Sequence, residues 1–444
     1  MRITKKSSLE KGQALILLVF AAVALLGFTA LAIDGGMVYA DRRHAQNAAD
    51  AASLAGGGVA ALHMENTYVV WEDFDCDDYR VQAAMDAAEA AAISRAGSND
   101  YGIDTDIDDK NGVTTECVDD YDNGSYIDKY IDIHTFITRQ TRAAFVHFVF
   151  RGPLINSVDA VTRIRPNTTM AFGNAIFSTS GLCENNEGGV TFDGGGGGNI
   201  HVNGGGIFSN SCIDANGGPD VSVDNGTIGY VTEFEDPSAG TFSPEPRHGS
   251  VRMPKLGPQT DPDCSQVPIS SVPGGNDVTI DPGRYDRIRL TGGGKLTLNP
   301  GLYCVSNEFT ANNGTLEGFG VTIYLTGGDF SVSGNVEVRL SAPASTCPAA
   351  TPDICPPAIP GMLIYMARGN DGVVTLEGNS ESHYTGTVYV PSGTIDVGGG
   401  SSTMPTINTQ LVGDTVKIHG NVTIDINFLG AQNYHVPSTL ELFK

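Results

Sequence analysis

The feature that most constrains this chain is a 20-residue stretch without a charged side chain, from Ala14 to Ile33, which reads ALILLVFAAVALLGFTALAI. At about 1.5 Å of rise per residue, a helix of this length spans about 30 Å, the thickness of a bilayer's hydrocarbon core. Residues 1–12 carry four basic side chains and one acidic side chain. Because basic flanks stay on the cytoplasmic side, the sequence predicts a cytoplasmic tail at 1–12, a transmembrane helix at 13–33 and an extracytoplasmic remainder.

Two kinds of processing remain open for this segment. Ala30-Leu31-Ala32 fits the small-residue pattern of a signal-peptide cleavage site, although the apolar run exceeds the usual ~7–15 residues of a signal peptide. Cleavage after Gly12, as in prepilins, is the second possibility, but Leu17 stands where such substrates usually carry Glu. Either event still exports the body of the chain.

The overall charge excludes one class of partner. The chain has 51 acidic and 26 basic residues, which gives a formal net charge of -25. Binding to nucleic acid requires a basic face that displaces counterions from phosphate. We therefore expect no nucleic-acid partner.

The eight cysteines agree with export, because all of them lie beyond the apolar run. None forms a C-x-x-C pair, so the spacing does not indicate zinc or thioredoxin-like chemistry. An even number outside the membrane favours disulfides, whereas several buried thiols are the alternative. We predict pairing between sequence neighbours, that is, Cys76–Cys117, Cys183–Cys212, Cys264–Cys304 and Cys347–Cys355.

The apolar run and the segment after it resemble a known family. GQALILLVF at 12–20 and DGGMVYADRRHAQNAADAASLAGG at 34–57 are similar to the N-terminal segment of the Tad (tight-adherence) Flp pilus-assembly proteins, the TadE/TadG-like group. The resemblance implies a membrane protein whose partners are pilus or secretion-assembly proteins. The predicted anchor and interaction motif consists of Gly12, Gln13, Asp34, Gly35, Gly36, Arg42, Arg43, Gln46, Ala48, Ala49, Asp50 and Ala52.

Residues 34–62 are rich in alanine, the best helix former, and are predicted to continue the anchor as a helix. We expect Gly56-Gly57-Gly58 to end that helix, as glycine commonly does. Alanines spaced four apart, including Ala48 and Ala52, form a smooth face on which another helix can pack closely. That helix belongs either to a partner protein, in which case the alanine face is an interaction surface, or to this chain.

Residues 63–170 are predicted to form a small α+β, pilin-like head. Val81–Ala96 has the composition of a second helix, whereas Tyr126–Thr141 and Ser157–Ile164 alternate like strands. The acidic sequence between them includes Asp104-x-Asp106-x-Asp108, but Asp109 stands where a calcium-binding EF-hand requires glycine. We therefore predict a solvated loop without a specific calcium site.

From residue 171 to 433 the chain is mainly β, with short strands between Gly, Asn and Asp turns. This pattern predicts a right-handed parallel β-helix-like solenoid, with a sandwich as the alternative. Asp281-Pro-Gly-Arg-Tyr285 recurs as Asn299-Pro-Gly-Leu-Tyr303 after 18 residues, close to one turn of a solenoid. Residues 237–273 are predicted as a Pro-rich excursion, and residues 434–444 as a C-terminal tail.

The sequence contains few candidates for catalytic or metal-binding residues. Asp277, Asp281, Arg284, Arg287 and Arg289 are close in sequence, and β alternation would send the last two to one outer face. No nucleophile or metal motif accompanies them, so we expect no catalysis, cofactor or metal. The leading function is a surface-exposed, non-enzymatic protein of Tad/Flp pilus assembly or adhesion. The alternatives are an anchored polysaccharide-active or polysaccharide-binding β-helix protein, whose partner is a surface polysaccharide, and a structural envelope spacer.

Overall fold

The computed structural model describes residues 10–103, 111–142, 144–146, 152, 154–183, 189–194, 198–236, 239–255, 257–258, 260–344, 357–399, 405–420 and 423–443. The chain forms two compact units. Unit 1 comprises residues 1–119, 129–166 and 438–444, and unit 2 comprises residues 120–128 and 167–437. Asp104, Asp106 and Asp108 of the predicted acidic loop lie outside the described residues, so the absence of a calcium site between Asp104 and Glu116 stays a prediction.

Unit 1 packs two helices against a four-stranded sheet. The helices are α1 (Glu10–Asn66) and α2 (Tyr79–Ser98), and the strands are β1 (Asn111–Asp122), β2 (Ile127–Thr141), β3 (Leu154–Arg165) and β29 (Thr439–Phe443). The strand order is β1-β2-β3-β29, and β3 is antiparallel to both of its neighbours. Alternation along β2 buries Ile131, Ile133 and Ile137 against the helices, which gives the α+β head that the sequence predicts.

The predicted end of α1 at Gly56-Gly57-Gly58 is wrong, because the helix continues to Asn66. The first two of these glycines are sites of close packing. A Cβ atom at Gly56 would lie 2.8 Å from the carbonyl oxygen of Ala88, and one at Gly57 would lie 2.7 Å from the Cγ2 atom of Thr162. Glycine here lets α2 and the sheet approach the helix backbone.

The C-terminus also differs from the prediction. The segment predicted as a tail contains β28 (His435–Val436) and β29, which pairs with β3 from Thr439↔Arg165 to Phe443↔Val161. The sequence analysis also missed β1, whose side chains are mostly exposed or half-buried and therefore lack an apolar alternation. β29 pairs with β3, which is distant from it in the sequence. β1 has no apolar alternation by which the sequence would indicate a strand.

Unit 2 is a parallel β-solenoid of about 10 turns, as predicted. Apart from the antiparallel pair β4–β28 (β4 is Thr168–Thr169), its strands pair in parallel within one large sheet. Inward side chains of successive turns stack in register, as Ile395, Val416 and Val190 do. The strands are β5 (Asn174–Ser178), β6 (Val190–Asp193), β7 (Asn199–Asn203), β8 (Gly206–Ser209), β9 (Cys212–Asn216), β10 (Asp220–Asp224), β11 (Ile228–Tyr230), β12 (Glu233–Glu235), β13 (Thr241–Ser243), β14 (Arg247–His248), β15 (Asp277–Ile280), β16 (Gly283–Leu290), β17 (Lys295–Leu298), β18 (Gly301–Phe319), β19 (Val321–Leu325), β20 (Asp329–Ser341), β21 (Met362–Met366), β22 (Val373–Leu376), β23 (His383–Thr385), β24 (Thr387–Gly399), β25 (Thr406–Asn408), β26 (Leu411–Gly420) and β27 (Ile424–Asn427).

The turns of the solenoid are not stacked in chain order. The first turn, β5 to β7, pairs on one side with the second turn, β8 to β10. On its other side it pairs with the last turn, through Leu411↔Ile176, Val416↔Val190 and Ile424↔Ile200. The first turn therefore lies inside the stack, between the second turn and the last.

Residues 249–268, here called the strap, connect β14 at one end of the stack to Ile269 at the other, where Ile269 bridges to Arg284. The strap crosses a column of outward tyrosines, Tyr324, Tyr365 and Tyr389, which it helps to bury. The Tyr365 hydroxyl donates a hydrogen bond to Asp261 of the strap at 2.5 Å. The predicted Pro-rich excursion thus contains two solenoid strands, β13 and β14, and this strap.

Three disulfides lie within the described residues, and each joins sequence neighbours. Cys76–Cys117 lies in unit 1, whereas Cys183–Cys212 and Cys264–Cys304 lie in unit 2. The last of them ties the strap to β18. Cys347 and Cys355 lie outside the described residues.

Candidate functional site

The predicted interaction motif lies along α1, whose N-terminal part is apolar and free of protein contacts. The large side chains from Leu15 to Leu31 are 51–71% exposed, and this is the only helix in the described part of the chain that is long and apolar enough to cross a membrane. Gly12 and Gln13 belong to the same helix. A helix that leaves Leu and Phe bare along its whole circumference is suited to a lipid environment.

Asp34, the first polar residue after the apolar run, is 3% exposed. Its carboxylate accepts hydrogen bonds from three consecutive backbone N–H groups, those of Ala144, Phe145 and Val146. The distance is 2.7 Å from the nitrogen of Ala144 and 3.0 Å from that of Phe145. Burial of an unpaired carboxylate is costly, and these donors offset that cost. Asp34 therefore holds the turn at 144–146 against the start of the extramembrane half of α1.

Gly35 and Gly36 have no packing role in the fold. A Cβ atom at either position would meet nothing within 4 Å, and both residues are exposed. Glycine in a helix costs about 1 kcal/mol relative to alanine, and no contact described in this protein offsets that cost. The two glycines share an open face of α1 with Tyr39, which is 69% exposed.

Arg42 and Arg43 extend the same open face. Both are exposed, and neither has a hydrogen bond or an ion pair among the residues that the structure describes. By contrast, the neighbouring Asp41 lies 3.9 Å from Arg139 on β2. At about 100° per residue, Arg43 lies on the side of α1 opposite Asp34, and Arg42 lies about 80° around the helix from Asp34. They form an exposed, positively charged patch on a molecule that is otherwise acidic.

Gln46 and Asp50 tie α1 to the sheet. The Gln46 amide donates to the Asp50 carboxylate at 2.8 Å and to the backbone carbonyl of Asp159 at 3.1 Å. One turn further on, the Thr162 hydroxyl donates to Ser53 at 3.0 Å. These bonds are intramolecular, so this part of the motif holds the head together.

The hypothesis that the alanine face contacts a partner is wrong for Ala48, Ala49 and Ala52. Their exposure is 2%, 0% and 0%, respectively. Ala48 and Ala49 share a core cluster with Ile137 and Val158, and a large side chain there would meet the sheet. The alternative, that the alanine face packs within this chain, is the correct one, although the alanines pack on strands as well as on a helix.

The charged cluster of the solenoid is an ordinary surface ion-pair network. Arg287 and Arg289 do share one outer face while Ile288 is buried, as alternation predicts. Both arginines contact the carboxylate of Glu308. Asp281 instead accepts a hydrogen bond from Asn299, and Asp277 accepts one from the backbone of Lys295. The five predicted residues therefore do not converge on one site.

One polar groove on the solenoid has a volume of about 650 Å³. Carboxylates and hydroxyls predominate in its lining, and none of the described lining residues is aromatic. Within the described ranges, no group of three or more His, Cys, Asp or Glu side chains could hold a metal ion. Residues of the groove include Thr191, Asp193, Asn216, Asp371, Asp414 and Lys417.

Comparison with known proteins gives a family match within helix α1. Residues 12–61 match the family model Tad, described as putative Flp pilus-assembly TadE/G-like. No curated protein matches the chain. A solved structure that does match is the competence-associated pilin ComZ from Thermus thermophilus, with 11% identity, a TM-score of 0.24, and coverage of 75% of this chain and 88% of that chain.

Proposed function

We propose that this protein is a membrane-anchored, non-enzymatic component of Tad/Flp pilus assembly or adhesion. The observation that carries the proposal is the match of residues 12–61 to the TadE/G-like family model. The matched range contains the bare apolar part of α1 and the exposed face beyond it. A single helix thus combines a membrane anchor with a surface available to a partner.

The exposed face of α1, with Gly35, Gly36, Tyr39, Arg42 and Arg43, is the surface that we assign to pilus or secretion-assembly proteins. Its glycines allow the backbone of another helix to approach closely, and the two arginines, which have no ion pair among the described residues, suit an acidic partner. The buried alanine face leaves this as the accessible part of the predicted motif. The family match supports the class of partner.

We further propose that the N-terminus is cytoplasmic and that everything beyond Ile33 is extracytoplasmic. The basic N-terminal flank supports this orientation, and three disulfides in the described part of the chain suit an oxidising compartment. Protease added to intact spheroplasts should remove unit 2 and spare an N-terminal tag. Protection of unit 2 in these spheroplasts would contradict the orientation.

In this proposal, the solenoid is the surface-exposed, non-enzymatic part of the protein. Arg287 and Arg289 both contact the carboxylate of Glu308, so this cluster offers no free acid–base pair for catalysis among the described residues. The alternative of polysaccharide binding has one supporting observation, the polar groove that includes Asp371 and Lys417. Incubation of the purified protein with envelope polysaccharides separates the two, since shortening of the polysaccharide would overturn the non-enzymatic assignment.

The assembly role is tested by charge reversal in cells that make Flp pili. R42E/R43E should reduce pilus number and surface adherence as strongly as deletion of the gene does. R95E is the matched control, because Arg95 is an exposed arginine in the last turn of α2. Levels of the protein and its Cys76–Cys117 disulfide should be unchanged in all variants. Normal piliation in the deletion strain would refute the proposed role.

A further inference from the structure

Two observations place the turn at residues 144–146 relative to the apolar run of α1. Asp34 comes directly after Ile33, the last residue of the apolar run. Its buried carboxylate binds the backbone of residues 144–146, so this turn lies beside the helix at the level where the apolar run ends. If the apolar run spans the bilayer, the turn lies at its outer surface.

Two large apolar side chains near this turn are exposed. Phe145 is 43% exposed, and Ile155, at the start of β3, is 56% exposed. Asn156 donates to the carbonyl of Val38 at 3.4 Å, which places the start of β3 about one helical turn, or about 6 Å, further out than Asp34. Both apolar side chains therefore lie within a few ångströms of the level at which the membrane helix ends.

A positive charge lies close to the turn, as is typical of segments at a membrane interface. Arg142 is exposed and lies two residues before the turn. Aromatic rings and arginines concentrate where the hydrocarbon of a bilayer meets the headgroups, since the rings enter the hydrocarbon and the guanidinium remains at the phosphates.

We propose that the turn around Phe145 is a second membrane contact, which inserts Phe145 into the outer lipid interface while Asp34 fixes it to the transmembrane helix. The occupant of this apolar patch is the lipid bilayer. The bilayer contact of α1 is continuous with the patch, because Asp34 joins the two directly. Such a contact would set the rotation and tilt of the anchor and hold unit 1 close to the membrane. It does not depend on the pilus role.

Depth-dependent fluorescence quenching in the full-length protein tests this proposal. The single tryptophan is removed by W71F, and F145W then places one tryptophan at the turn. The protein is reconstituted in phosphatidylcholine and phosphatidylglycerol vesicles whose acyl chains carry bromine near the headgroups. The matched control is Y79W, because Tyr79 is 80% exposed at the start of α2, on a segment that Asp34 does not hold. An intact Cys76–Cys117 disulfide verifies the fold of each variant.

We expect brominated lipid to quench most of the emission of F145W and little of that of Y79W. Adding D34A to F145W should abolish most of the quenching, because the turn is no longer fixed to the helix. Quenching of F145W by aqueous iodide instead of lipid would place the side chain in water and overturn the proposal. Shielding from both quenchers would place it under protein and overturn it as well. Full lipid quenching in the D34A variant would refute the positioning role of Asp34.

Discussion

Asp214 of the solenoid shows how a single carboxylate can act against the stability of its fold. It lies on β9 with 4% of its surface exposed, and its Oδ2 atom has no hydrogen-bond partner in the part of the chain that the structure describes. Burial, together with the negative charges of Glu235 and Glu233, raises the pKa of Asp214 to about 6. The folded protein therefore binds the proton more tightly than the unfolded chain does.

We predict that D214N stabilises the protein at neutral pH. Since the folded pKa is about 6, the ionised carboxylate destabilises the wild type above pH 6, and this cost is removed as the pH falls towards the unfolded pKa. The gain of D214N at pH 7 should be about 1–3 kcal/mol and should largely vanish near pH 4. Denaturant unfolding at both pH values measures it.

The control for this prediction is E381Q, which removes one negative charge from an exposed turn. It should change the unfolding free energy by less than about 0.5 kcal/mol, as surface substitutions usually do. Equal stabilisation by the two variants would mean that net charge, not burial of Asp214, is responsible.

Residue types in the anchor motif were recognisable from the sequence, but their roles were not. Asp34 was identified from a family resemblance, whereas its hydrogen-bond partners at 144–146 lie 110–112 residues away. No local pattern specifies such a contact. Arg42 and Ala48 illustrate the same limit, because their different exposure follows from where the sheet packs and not from their own side chains.

Helix α1 shows that the same residue type can have opposite effects at neighbouring positions. Gly56 faces the backbone of α2, whereas a Cβ atom at Gly58 would meet nothing within 4 Å. We predict that G56A destabilises unit 1, by the ~1–3 kcal/mol typical of overpacking in a tight core. G58A should stabilise it by about 0.5–1 kcal/mol, because alanine is the better helix former.

Thermal unfolding of the two alanine variants, followed by the helical circular dichroism signal, measures this difference. The two changes have the same chemistry, lie two residues apart, and differ in the space that the new methyl group enters. If G56A is as stable as G58A, the close contact between α1 and the Ala88 carbonyl does not exist in solution.

At the scale of helices and strands, the sequence predicts the periodic segments correctly but does not predict where helix α1 ends. The alternation along 126–141 gave a strand that the structure places at Ile127–Thr141. The helix end predicted at the glycines 56–58 is wrong, because glycine occurs both at helix ends and at positions where a helix packs tightly. The choice between these two roles depends on α2 and β3, which pack on the helix from elsewhere in the chain.

For the whole molecule, the strap is the element that joins the two ends of the solenoid. Cys264–Cys304 anchors it by closing a loop with a sequence separation of 40, which corresponds to about 4 kcal/mol in the chain-entropy model. We predict that C264S/C304S makes residues 249–268 sensitive to limited proteolysis. The cleavage sites, read by mass spectrometry, identify the strap.

The control is C76S/C117S, whose disulfide closes a loop of nearly the same length, with a separation of 41, in unit 1. This variant should lose comparable stability in its own unit while the strap stays protected. Equal cleavage of the strap in both variants would show that general destabilisation, and not release of its anchor, exposes it.

The first turn lies inside the stack of solenoid turns, and this position determines how the number of turns can change. The chain enters the stack at β5 and leaves it after β27, and these neighbouring turns are paired with each other. An added turn at either far end would therefore leave the entry and exit strands where they are. Since strands are spaced about 4.8 Å apart and an extended residue spans about 3.3 Å, the strap would need only one or two more residues per added turn. The architecture permits insertion and loss of whole turns during evolution without any change to the strands at which the chain enters and leaves the stack.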